Sequence, residues 1–116
     1  AWAAAAARRT TRQRAWAEFT QRYPLLLLPV SAEPPFPQGL DVAGQQAFAS
    51  IFRAQGPMLA APLLGLPGVS VPTGLAEGLP MGVQLMAARW REDLVLDAAE
   101  VIEAGCPMPT PIAPRG

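Results

Sequence analysis

The sequence predicts an α/β chain in the order helix, buried strand, helix, two-stranded hairpin, helix. Three observations carry this expectation. An opening segment rich in Ala, Arg and Gln has helical spacing and stops at Pro24. Leu25 to Leu28 is an unbroken apolar run of strand length. Two later segments alternate apolar and polar residues around turn-forming Gly and Pro.

In the first helix, Trp16, Phe19 and Tyr23 are spaced by three and four residues, which predicts an aromatic stripe facing the core. The leucine run lacks polar alternation, so it reads as a central strand covered on both faces, with Pro29 ending its pairing. Val30 to Gly39 holds three Pro and a Gly, a stiff loop leaving the strand, and such loops form ligand clefts in α/β sheets. Asp41 is placed to cap the next helix, whose face of Phe48, Ile51, Phe52 and Gln55 closes at Gly56 and Pro57. A short helical or irregular passage then reaches Pro62. Val69 and Val71 flank Ser70, and Val83 and Leu85 flank Gln84, so two paired strands would bury the aliphatics on one face and leave Ser70 and Gln84 on the other. Thr73 to Pro80 is the connection. Glu92 and Asp93 suit a helix start, Val95, Ala99 and Ile102 its buried stripe, and Gly105 its C-cap. Pro107 to Gly116 reads as an extended tail.

Composition limits what such a chain can do. With 116 residues there is one small domain or part of a larger one, and 51% apolar against 16% charged residues excludes an intrinsically disordered chain. Nine basic and nine acidic residues cancel, so no overall field recruits nucleic acid or an anionic membrane. Five Arg fall before residue 23 and five acidic residues between Glu92 and Glu103, which reads as two solvated helix faces. The run from Gly56 to Ala76 is uncharged but holds Pro57, Pro62, Pro67 and Pro72, which excludes a membrane helix. The Ala-rich start lacks the layout of a signal peptide, and Ala at position 1 suggests a piece of a longer protein. Cys106 is alone, so no internal disulfide forms and a reducing, cytoplasmic setting is expected.

Absences are the stronger constraint. The chain contains no His, Lys or Asn, which removes Ser/His and Cys/His pairs, His-containing zinc sites, a phosphate-loop Lys and a Lys Schiff base. Ser31, Ser50 and Ser70 remain as hydroxyls with only carboxylates available as bases. Ser70 suits a hydrogen bond within a sheet and Ser50 lies in a helix. Ser31 leads from the buried strand into the Pro-rich loop, where it either caps the loop or meets a ligand.

GLPGVSVPTG (Gly65 to Gly74), GLPMGVQLMA (Gly78 to Ala87) and the helix ending VIEA (Val101 to Ala104) together resemble the C-terminal segment of the amidase signature family. The upstream LLLLPVSAEPPFPQG and the closing PTPIAPRG look like the late strand, loop and terminus of the same family. The resemblance is strongest over residues 65–103 and makes residues 1–116 a partial amidase domain, the C-terminal portion of a mixed-sheet fold. It implies a parent that hydrolyses carboxamide C–N bonds with a Ser, a second Ser and a Lys, without metal or cofactor. All three catalytic groups would lie upstream, since this chain has no Lys and no Gly-Ser-Ser run. Pro62 stands where the family often has Asn, and Thr73 where it often has Cys. On this reading the chain supplies sheet and pocket wall, with Val30, Ser31 and Phe36 lining the substrate pocket and no catalytic residue of its own. Its partners would be a small-molecule amide and the remainder of the amidase chain, with no nucleic acid or membrane, and self-association where the sheet edge stays open. The alternatives are a noncatalytic interaction module and a fragment of an amidotransferase A subunit.

Overall fold

The structure, a computed structural model, describes residues 1–106. The expected extended tail at Pro107 to Gly116 lies outside these residues. Four helices and three strands follow in the order α1 (Trp2–Arg22), β1 (Leu25–Pro29), α2 (Gln45–Ala54), α3 (Gly56–Leu64), β2 (Gly68–Ala76), β3 (Leu79–Ala87) and α4 (Glu92–Gly105), with one 3-10 turn at Leu40–Val42. The predicted mixture of helices and strands is present.

The sheet is antiparallel with β3 in the middle, order β1-β3-β2. Val69 pairs with Leu85, Ser70 with Gln84 and Val71 with Val83, so the predicted division of faces holds. α4 lies on the aliphatic face, where Val95, Ala98, Ala99 and Ile102 pack with Val71, Leu85 and Ala87. α3 approaches the opposite face. A Cβ on Gly68 would stand 3.6 Å from the Ala61 Cβ, and Gln84 Nε2 donates to Pro57 O at 3.4 Å and to Met86 Sδ at 3.0 Å. Leu85, Met86 and Ala87 are 0–2% exposed in consequence.

The strand connection is much tighter than the eight residues expected. Ala76 pairs with Leu79 across Glu77 and Gly78, both at positive φ (53° and 78°), which is the two-residue turn that matches strand twist. The Gly and Pro read as loop are absorbed inside the strands. A bulge between Pro72 and Gly74 lets Thr73 leave the ladder, and Pro80 sits beyond the reach of β1, so its missing N–H costs no second pairing.

Several other expectations are corrected. The leucine strand β1 is an edge rather than a centre among the described residues, and Leu27 is 57% exposed because α4 covers β2 and β3 but does not extend over β1. The aromatic stripe exists, with centroids 5.4 Å apart for Trp16–Phe19 and 5.0 Å for Phe19–Tyr23, yet Phe19 and Tyr23 are exposed. α1 instead turns Gln13, Trp16 and Thr20 inward, because it docks on the last turn of α3. Arg9 Nε donates to Leu63 O at 2.6 Å and Gln13 Nε2 to Leu64 O at 2.9 Å, satisfying carbonyls that the helix leaves free and placing a cation at its negative end.

Asp41 falls in the 3-10 turn and does not cap α2, which begins after Gly44 at φ 119°. The passage to Pro62 is a full helix, α3, with Pro57 in its first turn and Gly65 in the left-handed conformation at its end. Gly105 is the last residue of α4 rather than its cap. At the start of α4, hydrogen bonds from Arg91, 2.9 Å from Nε to Oδ1, hold the Asp93 carboxyl below the usual carboxylate range. No helix among the described residues is long and apolar enough to cross a membrane, and the uncharged run is divided between α3 and β2.

At Gly82 the hairpin leaves no room for a side chain. A Cβ there would stand 2.9 Å from the Val71 carbonyl oxygen, a backbone atom that cannot swing away. Gly82→Ala is expected to destabilise the chain by about 1–3 kcal/mol, whereas Gly68→Ala, which meets nothing closer than 3.6 Å, is expected to be tolerated. Urea midpoints of the two variants check this.

Candidate functional site

The loop leaving β1 and the outer part of the hairpin enclose a cleft of about 460 Å³. Pro29 ends β1, and Val30, Ser31, Glu33, Pro34, Pro35 and Phe36 form one wall. Gln55 contributes from the break between α2 and α3, Ser70 and Pro72 from β2, and Pro80, Met81 and Gly82 from β3. All three residues expected from the sequence, Val30, Ser31 and Phe36, line this one cleft.

The loop keeps its shape through the C-terminal end of α2. Ala54 O accepts hydrogen bonds from Ala32 N at 2.8 Å and Ser31 Oγ at 3.4 Å, and Ser31 Oγ accepts one from Glu33 N at 3.2 Å. Ala54 is the last helical residue, so its carbonyl has no partner within the helix and is available to fasten the loop. Ser31 is therefore committed to the loop backbone in this conformation, the capping role that its position allows. A small hollow of about 40 Å³ next to this attachment is lined by Ser31 and Phe36 of the loop and by Ile51 and Ala54 of α2.

Chemically the cleft is an apolar slot with a few polar groups. Its apolar lining is proline, Val30, Phe36 and Met81, and its polar lining residues are Ser31, Glu33, Gln55 and Ser70. A largely apolar cleft with a few converging polar groups is the form of a small-molecule site. Gln84, on the Ser70 face of the sheet, is engaged with Pro57 O and supports the floor. Ser50 Oγ donates to Ala47 O at 2.7 Å within α2, so it lies outside the cleft chemistry. Among the described residues no Ser hydroxyl is hydrogen-bonded to a carboxylate, and no group of three or more His, Cys, Asp or Glu could hold a metal ion.

Sequence reasoning names three of the thirteen lining residues as pocket wall, and among those it misses are Glu33, Gln55, Met81 and Gly82. Glu33 shares the loop with the expected residues, and that adjacency is the signal that could have found it. Gln55 shows in the sequence only as part of an amphipathic face, and Met81 and Gly82 lie where β3 runs past the end of β1 beside the loop. A second, smaller cleft of about 240 Å³ lies between α1 and the end of α3, lined by Trp16, Thr20, Leu64, Leu66 and Arg89, and holds none of the expected site residues.

An antiparallel sheet with helices on both faces and an apolar cleft beside the strand ends is a segment of an α/β fold with a candidate small-molecule cleft. The amidase family model matches residues 1–96, and the chain belongs to that family. An indoleacetamide hydrolase of Bradyrhizobium japonicum is 44% identical over 105 residues, 89% of this chain and 22% of the relative. The A subunit of the glutamyl-tRNA(Gln) amidotransferase of Lactococcus lactis subsp. lactis is 34% identical over 89 residues, 77% of this chain and 18% of the relative. Among solved structures, the corresponding protein from Thermotoga maritima superposes with a TM-score of 0.70 at 29% identity, covering 85% of this chain and 21% of that one. A 6-aminohexanoate cyclic dimer hydrolase complexed with substrate superposes with a TM-score of 0.60 at 28% identity, covering 82% and 23%. The chain thus spans about a fifth of the length of the proteins it matches.

Replacing Ser31 by Ala removes two hydrogen bonds but leaves Ala32 N to Ala54 O in place. The expected loss is about 1 kcal/mol of stability, measured by urea denaturation, with the loop amide resonances shifting and those of α4 unchanged.

Proposed function

We propose that this chain is the C-terminal part of an amidase, completing the sheet and forming one wall of the substrate pocket of an enzyme that cleaves carboxamide C–N bonds. The observation that carries the reading is the cleft, which presents Val30 and Phe36 as apolar surface on a loop fastened by Ser31 to α2. The family supports the reaction class. The 44% identity to an indoleacetamide hydrolase favours a flat aromatic amide as substrate, for which proline, Phe and Met walls are suitable neighbours. Ser31 is a positioning residue here, setting the loop rather than attacking.

The nucleophile and its bases belong to the rest of the enzyme. This chain has no Lys, and among the described residues no Ser stands beside a base, so it offers neither an activated nucleophile nor a proton shuttle. Purified chain is expected to leave aryl and aliphatic amides intact, as followed by release of ammonia. Turnover that Ser31→Ala abolishes would overturn the proposal, because the chemistry would then be local.

A second reading, part of an amidotransferase A subunit, is favoured by the TM-score of 0.70 to the Thermotoga maritima protein. It shares the fold and the amide chemistry and differs in requiring further protein partners. Binding of small aromatic amides at the cleft supports the first reading over the second.

The exposed Leu27 and the unpaired side of β1 among the described residues fit a strand that continues its sheet with the remainder of the enzyme. Alone, the chain is expected to self-associate through this edge at micromolar concentration. Sedimentation velocity checks this, and a monodisperse monomer with a sharp cooperative melt would show an autonomous domain instead.

A further inference from the structure

Building on the proposed substrate wall, we propose that Glu33 makes the cleft select a neutral amide over the carboxylate that hydrolysis leaves behind. The chemistry creates the difference in charge. Water adds its oxygen to the carbonyl carbon, the C–N bond breaks, nitrogen leaves with the added protons as ammonia or an amine, and the acid loses its proton at neutral pH. A neutral reactant has become an anion.

The cleft is built to sense that change. Of the described residues lining it, Glu33 alone carries a charged side chain, and neither Arg nor Lys lines it to offset that charge. The other polar lining residues, Ser31, Gln55 and Ser70, are neutral. The Glu33 backbone is held beside the cleft, since its N–H donates to Ser31 Oγ at 3.2 Å and the same hydroxyl is tied to Ala54 O. A carboxylate at the solvent-facing rim of proline, Phe and Met walls repels a second anion through a partly screened field, and leaves an uncharged amide nearly unaffected. Glu33 is in this way a specificity-determining residue that hastens product departure and weakens product inhibition.

The test is binding to the full chain carrying Leu27→Lys, a charge at the exposed edge position outside the cleft that keeps the chain monomeric, using indoleacetamide and indoleacetate as a pair that differs only in this group. Titrations followed by backbone amide shifts of the loop from Val30 to Phe36 are expected to show the amide bound roughly three- to tenfold more tightly than the acid, the range a partly screened like-charge contact produces. Glu33→Gln should bring the two affinities together by strengthening the acid and leaving the amide unchanged, and Glu33→Lys should reverse the preference. Glu33 is exposed, so both variants are expected to keep the wild-type spectrum outside the loop. If the ratio in Glu33→Gln equals that of the wild type, the role given to Glu33 is wrong while the substrate wall stands. If neither compound shifts the loop resonances, the substrate wall is wrong and this inference falls with it.

Discussion

The burial of β3 is the constraint on which the rest of the structure depends. Three consecutive residues, Leu85, Met86 and Ala87, are almost wholly removed from solvent, and consecutive strand residues point to opposite faces. A strand buried in this way needs a layer above and a layer below. α4 supplies one through Val95 and Ile102, and α3 supplies the other through Ala61 and the Pro57 carbonyl that receives Gln84. The strand also needs hydrogen-bond partners on both sides, which β1 and β2 provide. Remove any of these four elements and apolar surface or backbone polar groups of β3 are left uncompensated.

The cleft follows from where that cover stops. β1 pairs with β3 only from Val83 to Ala87, so the outer hairpin from Pro72 to Gly82 projects past the end of β1. The loop after Pro29 has to pass this projection, and its density of prolines makes it stiff enough to stand off rather than collapse onto it. Its attachment to Ala54 then sets the spacing. A helix C-terminus that would otherwise turn its last carbonyl to water holds the wall instead. The fold thus converts one unpaired helical carbonyl into the width of the cleft.

Helix α1 has a similar logic at the other end of α3. Arg9 and Gln13 reach the terminal carbonyls of that helix, and this attachment decides which side of α1 is buried. The aromatic stripe is displaced to the flank as a result, with Trp16 half-buried and Phe19 and Tyr23 exposed. Two polar contacts between helices override a clear hydrophobic pattern, because a helix end with unsatisfied carbonyls offers a specific, directional partner and an aromatic stripe does not.

Much of this was legible in the sequence alone. Alternation around Ser70 and Gln84 identified the hairpin and its faces because the side-chain period of a strand is two and local. Val95, Ala99 and Ile102 marked the buried side of α4 for the same kind of reason at a period of 3.6. The family resemblance came from two Gly-Leu-Pro segments in order, and the Pro-rich loop pointed to the wall of the cleft. The cleft's width, its lining by Glu33, Gln55 and Met81, the edge position of the leucine strand and the face by which α1 docks were decided only by the tertiary structure. Each depends on contacts between residues far apart in the chain, such as Arg9 with Leu63 or Ser31 with Ala54, and local periodicity carries no information about which distant partner a backbone carbonyl will find.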